Sequence, residues 1–203
     1  MFNYFDELYK DKNKPEEIEA IDKKIDMLMN YYKYIIWCLD EELIVNNLNK
    51  SYIRDNICRI NSEDRQKQIC DNLYKQYQDA AIAPKEQKQK IIENVLFLIQ
   101  AKYCQHYINY FDNDFIVEIL FSSGGDTVTK YFKNIKEEKA QDLCSKLCEK
   151  YEKSTDDEKT KCGRYILQLI KNDDDGRQVA SCLSGEFVLD HLGDDIINKQ
   201  KKP

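Results

Sequence analysis

Eight cysteines stand out in the 203 residues, at positions 38, 58, 70, 104, 144, 148, 162 and 182. Thiols support disulfide bonding, metal ligation or nucleophilic attack, and spacing discriminates among the three. An even count well above ordinary usage favours a disulfide framework, so Cys38, Cys58, Cys70, Cys104, Cys144, Cys148, Cys162 and Cys182 are all disulfide candidates. Cys148 and Cys162 flank a hairpin centred near residue 155 and form the preferred pair. Cys58 and Cys70 flank the Ser62 turn in the same way, with Cys70–Cys104 and Cys144–Cys182 as alternatives. A bridge across a loop of this size stabilises by roughly 3 kcal/mol. Buried free thiols are the plain alternative. Zinc is disfavoured: Cys144 and Cys148 share a helical face, with Cys162, Cys104 and His106 as further donors, but the paired short spacing of zinc modules is missing. No metal site is expected.

Other motifs carry less. Asn172-Asp173-Asp174-Asp175-Gly176 resembles the start of a calcium loop. With Gly176 sixth, Lys171 and Cys182 fall where Asp and a bidentate Glu are required. Ser122-Ser123-Gly124-Gly125-Asp126 lacks the lysine of a phosphate loop and reads as a capped turn. His106 lies among Tyr103, Tyr107 and Tyr110, and His191 stands where a related segment has Ile119. No Cys-His nucleophile pair is evident. Catalytic and cofactor-binding residues are therefore assigned to none, and no cofactor is expected. Asn49-Lys50-Ser51 is a single glycosylation sequon.

The elements that carry these residues recur. Ile69-Cys70-x-x-Leu73-x-x-x-Tyr77 returns 74 positions later as Leu143-Cys144-x-x-Leu147-x-x-x-Tyr151. Segments beginning at Leu43, Phe115 and Phe187 match at a spacing of 72 and end in Leu48, Leu120 and Leu192. Cys38, Tyr110 and Cys182 precede them at the same spacing. The counterparts of Cys148 and Cys162 in the preceding copy are Tyr74 and Ile91, so both thiols are missing there together, as a bonded pair would be. The expected architecture is all-α: tandem helical hairpins of about 72 residues stacked into one elongated, disulfide-stabilised domain, with a variant first unit at 1–58 and repeat units at 59–131 and 132–203.

Apolar periodicity places the helices. The spacing predicts a short helix over 2–10, a long one over 16–43 opened by Pro15, and a third through Ile53, Ile57 and Ile60. Ser62 caps a helix carrying Ile69, Leu73 and Tyr77. Pro84 opens another that continues to about Phe111. Further helices follow over 115–121, from an Asp126 cap through Phe132, over 136–153, 159–171, 179–192 and 194–198.

Composition bounds the function. Six glycines and three prolines are too few for an all-β chain. A net charge of −6 and a pI near 5.1, with the basic residues dispersed, disfavour nucleic acid as a partner. No stretch approaches the ~18 apolar residues of a membrane span. The first residues lack the features of a signal peptide. This leaves a mature secreted form or a cytoplasmic protein.

Duplicated helical units with spaced cysteines in a small acidic chain resemble the bicycle proteins, secreted effectors of gall-forming insects. The paired Cys-Tyr-Cys motifs of that family are absent. Tyr103-Cys104 matches two positions of one such motif, with Lys102 in place of the first Cys. The resemblance implies secretion into a host and no catalysis, and carries over no functional residue. The expected function is a non-enzymatic, secreted helical effector or binding protein acting on a protein partner, such as a host protein. The alternative is an intracellular structural subunit or adaptor with reduced thiols.

Overall fold

The computed structural model describes residues 19–21, 23–24, 27–28, 35–80, 85–122, 125–172, 179 and 181–191. The expected helices at 2–10 and 194–198, the Asn172–Gly176 acidic turn beyond Asn172, and most of 16–34 lie outside them. Every regular element among the described residues is helical and none is a strand. None is long and apolar enough to cross a membrane. Packing groups the chain into two compact units, Met1–Tyr110 and Phe111–Pro203.

In the first unit the expected helix over 16–43 is interrupted. A 3-10 turn, Ile35–Cys38, precedes a bend at Leu39, and Asp40 starts a new helix, α1 (Glu41–Asn46). Asp40 is extended, and its Oδ1 accepts from the Leu43 N–H at 2.6 Å. The apolar period runs through this point, but the cap starts a separate helix. The helix expected next, through Ile53, Ile57 and Ile60, is two pieces, α2 (Ser51–Arg54) and a 3-10 turn, Ile57–Arg59. Ser62 caps α3 (Glu63–Asp79), which buries Gln66, Ile69, Cys70 and Leu73 on one stripe. Then α4 (Lys85–Gln100) buries Ile91, Ile92, Val95, Leu98 and Ile99. It stops well short of Phe111, and the chain turns into a 3-10 helix, Gln105–Asn109. There Tyr107 is buried and its Oη reaches the Ile57 carbonyl at 3.4 Å. A continued α4 would not make that contact.

The second unit runs through the same order of elements: α5 (Asn113–Phe121), α6 (Gly125–Val128), a 3-10 helix (Thr129–Asn134), α7 (Glu137–Lys153) and α8 (Asp156–Asn172). Asp126 lies inside α6, and α8 begins at Asp156. The final described helix, α9, covers 185–191.

Three hydrogen-bond patterns recur. Asp40, Asp112 and Ser184, 72 positions apart, each accept from the N–H three residues on, at Leu43 (2.6 Å), Phe115 (3.4 Å) and Phe187 (3.2 Å). Their own carbonyls accept from Ile44, Ile116 and Val188 at 3.1, 3.0 and 3.1 Å. The second pattern explains a local anomaly. Arg65 and Lys139 occupy the third position of α3 and α7, where a cation opposes the helix dipole. Arg65 donates to the Leu39 carbonyl, and Lys139 Nζ donates to that of Phe111, 72 positions later. In the third, Cys70 Sγ donates to the Tyr107 carbonyl and Cys144 Sγ to that of Val179, both at 3.8 Å. Tyr107 and Val179 are again 72 apart.

Asp112→Ala is expected to cost about 1 kcal/mol, because its carboxylate serves the N–H groups of both Asp114 and Phe115. Urea unfolding of that variant beside wild type measures it, and no change in midpoint would show that the cap contributes nothing.

Candidate functional site

The cysteines fall into two groups, one in each unit. In the first, Cys104 is buried at the head of the 3-10 helix Gln105–Asn109, where its thiol interacts with that of half-buried Cys58. Burial and the Cys58 thiol push Cys104 up to about 12. Buried Cys70 completes the group around the Tyr107 ring, and burial foremost raises the Tyr107 phenol. Half-buried Cys38 ends the turn Ile35–Cys38.

In the second unit Cys144 and Cys148 lie one turn apart on α7, where their thiols interact. That interaction holds the Cys148 thiol down and, with burial, raises Cys144. Cys182 interacts with Cys144. Cys162 on α8 is raised to about 11, mainly by burial, with Cys148 and Ser154 beside it. No disulfide joins any of the eight cysteines. Cys148 stands beside Cys162 across the hairpin, and the thiols of Cys58 and Cys104 and of Cys144 and Cys148 interact. Among the described residues no three His, Cys, Asp or Glu converge as a metal site would require.

Sequence reading missed the polar group around Tyr151. Its Oη donates to Asp190 Oδ2 at 2.7 Å and lies 3.4 Å from His191 Nδ1. Lys159 pairs with Glu186 and lies 3.5 Å from Asp190. His191 stacks on Phe187 with centroids 4.6 Å apart. Burial, then Asp190, pushes the Tyr151 phenol up to about 12, so it remains a donor at neutral pH. The group fastens α9 to the α7–α8 hairpin. Gly163 is what lets His191 approach, because a Cβ there would meet Nε2 at 2.6 Å.

Each unit also carries a groove. In the first it is about 470 Å³, lined by Asp40, Glu41, Glu42, Asp71, Gln68 and Asn72. In the second it is about 320 Å³, and Lys146, Lys150 and Lys153 stand against Asp114, Glu149 and Glu158. Lys146 pairs with Asp114 at 2.7 Å, and Lys150 Nζ lies 4.5 Å over the Phe121 ring. The two grooves thus carry different charge. Among the described residues the exposed large apolar side chains are Met27, Trp37, Tyr103, Leu167 and Leu189. Trp37 is anchored through Nε1 to the Arg59 carbonyl at 2.9 Å.

His106, half-buried beside Tyr107 and Tyr110, is held below its ordinary value by burial, against a smaller backbone contribution from Tyr103. The unfolded chain therefore binds more protons near pH 6.5 and below. The contribution of His106 to stability is present above 6.5 and is lost as pH falls through its depressed folded value. Between pH 7.5 and 5.5 wild type is expected to lose more stability than His106→Gln, as read by urea midpoints. Equal losses would remove His106 from the acid response.

No protein-family model, curated protein or solved structure matches the chain.

Proposed function

We propose that the chain is a tandem helical-repeat protein of about 72-residue units that acts without catalysis. In this reading it is a secreted, disulfide-stabilised effector or binding protein whose partner is another protein. One observation carries the repeat: the side-chain caps at Asp40, Asp112 and Ser184, which repeat with the same donor position each time. The matched carbonyl contacts of Arg65 and Lys139 support the same register. Units that share one internal pattern can vary their surfaces independently, which suits binding. The grooves with unlike charge and the exposed Trp37, Tyr103 and Leu189 supply such varied surface. The even cysteine count and the grouping of thiols within each unit support oxidation in a secreted setting.

An intracellular adaptor with reduced thiols is the second reading, favoured by the reduced state of all eight cysteines. Intact mass after alkylation in denaturant, with and without prior reduction, separates the two in protein recovered from its source. Thiols blocked until reduction support the secreted reading. Thiols that alkylate freely overturn it in favour of the adaptor.

A further inference from the structure

We propose that Cys58 and Cys104 form a redox pair that closes to a disulfide, tying the turn Ile57–Arg59 to the 3-10 helix Gln105–Asn109. The assignment deepens the disulfide-stabilised reading above and rests on it for the compartment, though the pairing itself is a property of this fold. It differs from the pairs that sequence spacing favours.

Three observations carry it. The Cys104 thiol lies near enough to Cys58 for the two to interact, although 46 positions separate them. Tyr107 Oη binds the carbonyl of Ile57, the residue next to Cys58, so the two turns are already held together independently of the sulfurs. The pair is also present or missing as a whole. At offsets of 72 to 74 from Cys58 stand Lys130, Tyr131 and Phe132, and 72 positions after Cys104 stands Gly176.

The chemistry needs a thiol–disulfide oxidant, such as oxidised glutathione. Cys58 is the more accessible thiol and attacks first, as its thiolate. One glutathione leaves and a mixed disulfide remains on Cys58. The Cys104 thiolate then attacks the Cys58 sulfur, the second glutathione leaves, and the protein disulfide forms. Two electrons pass from the cysteine thiols to glutathione disulfide, and their two protons reappear on the released glutathione thiols. Cys104 is held in its neutral form by burial, so the second step is the slow one.

The test equilibrates the full chain with excess oxidised glutathione, quenches with an alkylating agent in denaturant and maps the linked peptides. Cys58 joined to Cys104 is expected, with Tm raised by about 10 °C over the reduced chain. Cys58→Ser should lose both the link and most of the rise, whereas Cys38→Ser should keep both. Cys58 linked elsewhere, or alkylated singly while the second unit's thiols link, overturns the pairing and leaves the secreted reading standing. A Cys58–Cys104 link in glutathione, with free thiols in protein from its source, sustains the pairing and overturns the secreted reading. Absence of any link under glutathione overturns the pairing.

Discussion

Leu147→Ala is expected to lower the free energy of unfolding by about 4 kcal/mol. Leu147 has no exposed surface and lies on the stripe of α7 that also buries Leu143, Cys144, Cys148 and Tyr151. That helix packs against both α5 and α8. Truncation removes the buried methyl groups and leaves a cavity between elements anchored by other contacts, so collapse recovers little. Leu73 occupies the matching place on α3 and is equally buried. Leu73→Ala should therefore cost a similar amount, while Glu152→Ala, on the exposed side of α7, should change stability by less than about 0.5 kcal/mol. Urea unfolding with an unchanged slope is the measurement. Losses below 1 kcal/mol at both leucines would mean that this stripe is not the core of either unit.

Gly125→Ala should be nearly as damaging, at about 3 kcal/mol. A Cβ at Gly125 would stand 2.2 Å from the Leu120 carbonyl oxygen and 2.2 Å from Tyr165 Oη. Those two atoms are hydrogen-bonded to each other at 2.8 Å. The methyl group thus meets one backbone atom and one buried side chain that is already engaged. Relief requires either breaking the Tyr165 bond or moving the end of α5. Gly185→Ala is the control, because nothing lies within 4 Å of its Cβ position. That variant should unfold within about 0.5 kcal/mol of wild type. Equal midpoints for the two variants would show that α6 can shift freely.

The long helices were legible because each carries its own apolar stripe. Ile69 and Leu73 on α3, and Cys162, Tyr165, Ile166 and Leu169 on α8, recur at three and four positions and are buried as that period requires. The Ser62 cap was legible for a local reason: a hydroxyl followed by two acidic residues satisfies the N–H groups and dipole of a helix start. The same chemistry was present at Asp40, but the uninterrupted apolar period upstream pointed to one continuous helix. The end of α4 at Gln100 had no local stop signal. It follows from the burial of Tyr107 against a turn 50 residues earlier, which propensity does not register.

The thiol groups divide in the same way. Cys144 and Cys148, four apart on one helix, had to share a face, and Cys148 and Cys162 had to be near neighbours in a short hairpin. Cys58 and Cys104 had no local relation. A signal for the long-range contacts was nevertheless present in Arg65 and Lys139, cations placed against the dipole of their own helices and so requiring an acceptor elsewhere.

By itself, then, the sequence determined that the chain is helical and which faces of the long helices are apolar. These properties depend on residues within a few turns of one another. Only the tertiary structure decided where helices stop, which carbonyls receive Arg65 and Lys139, and which thiols meet. Those outcomes depend on contacts across tens of residues, where burial of a single ring such as Tyr107 outweighs the small preferences of the local backbone.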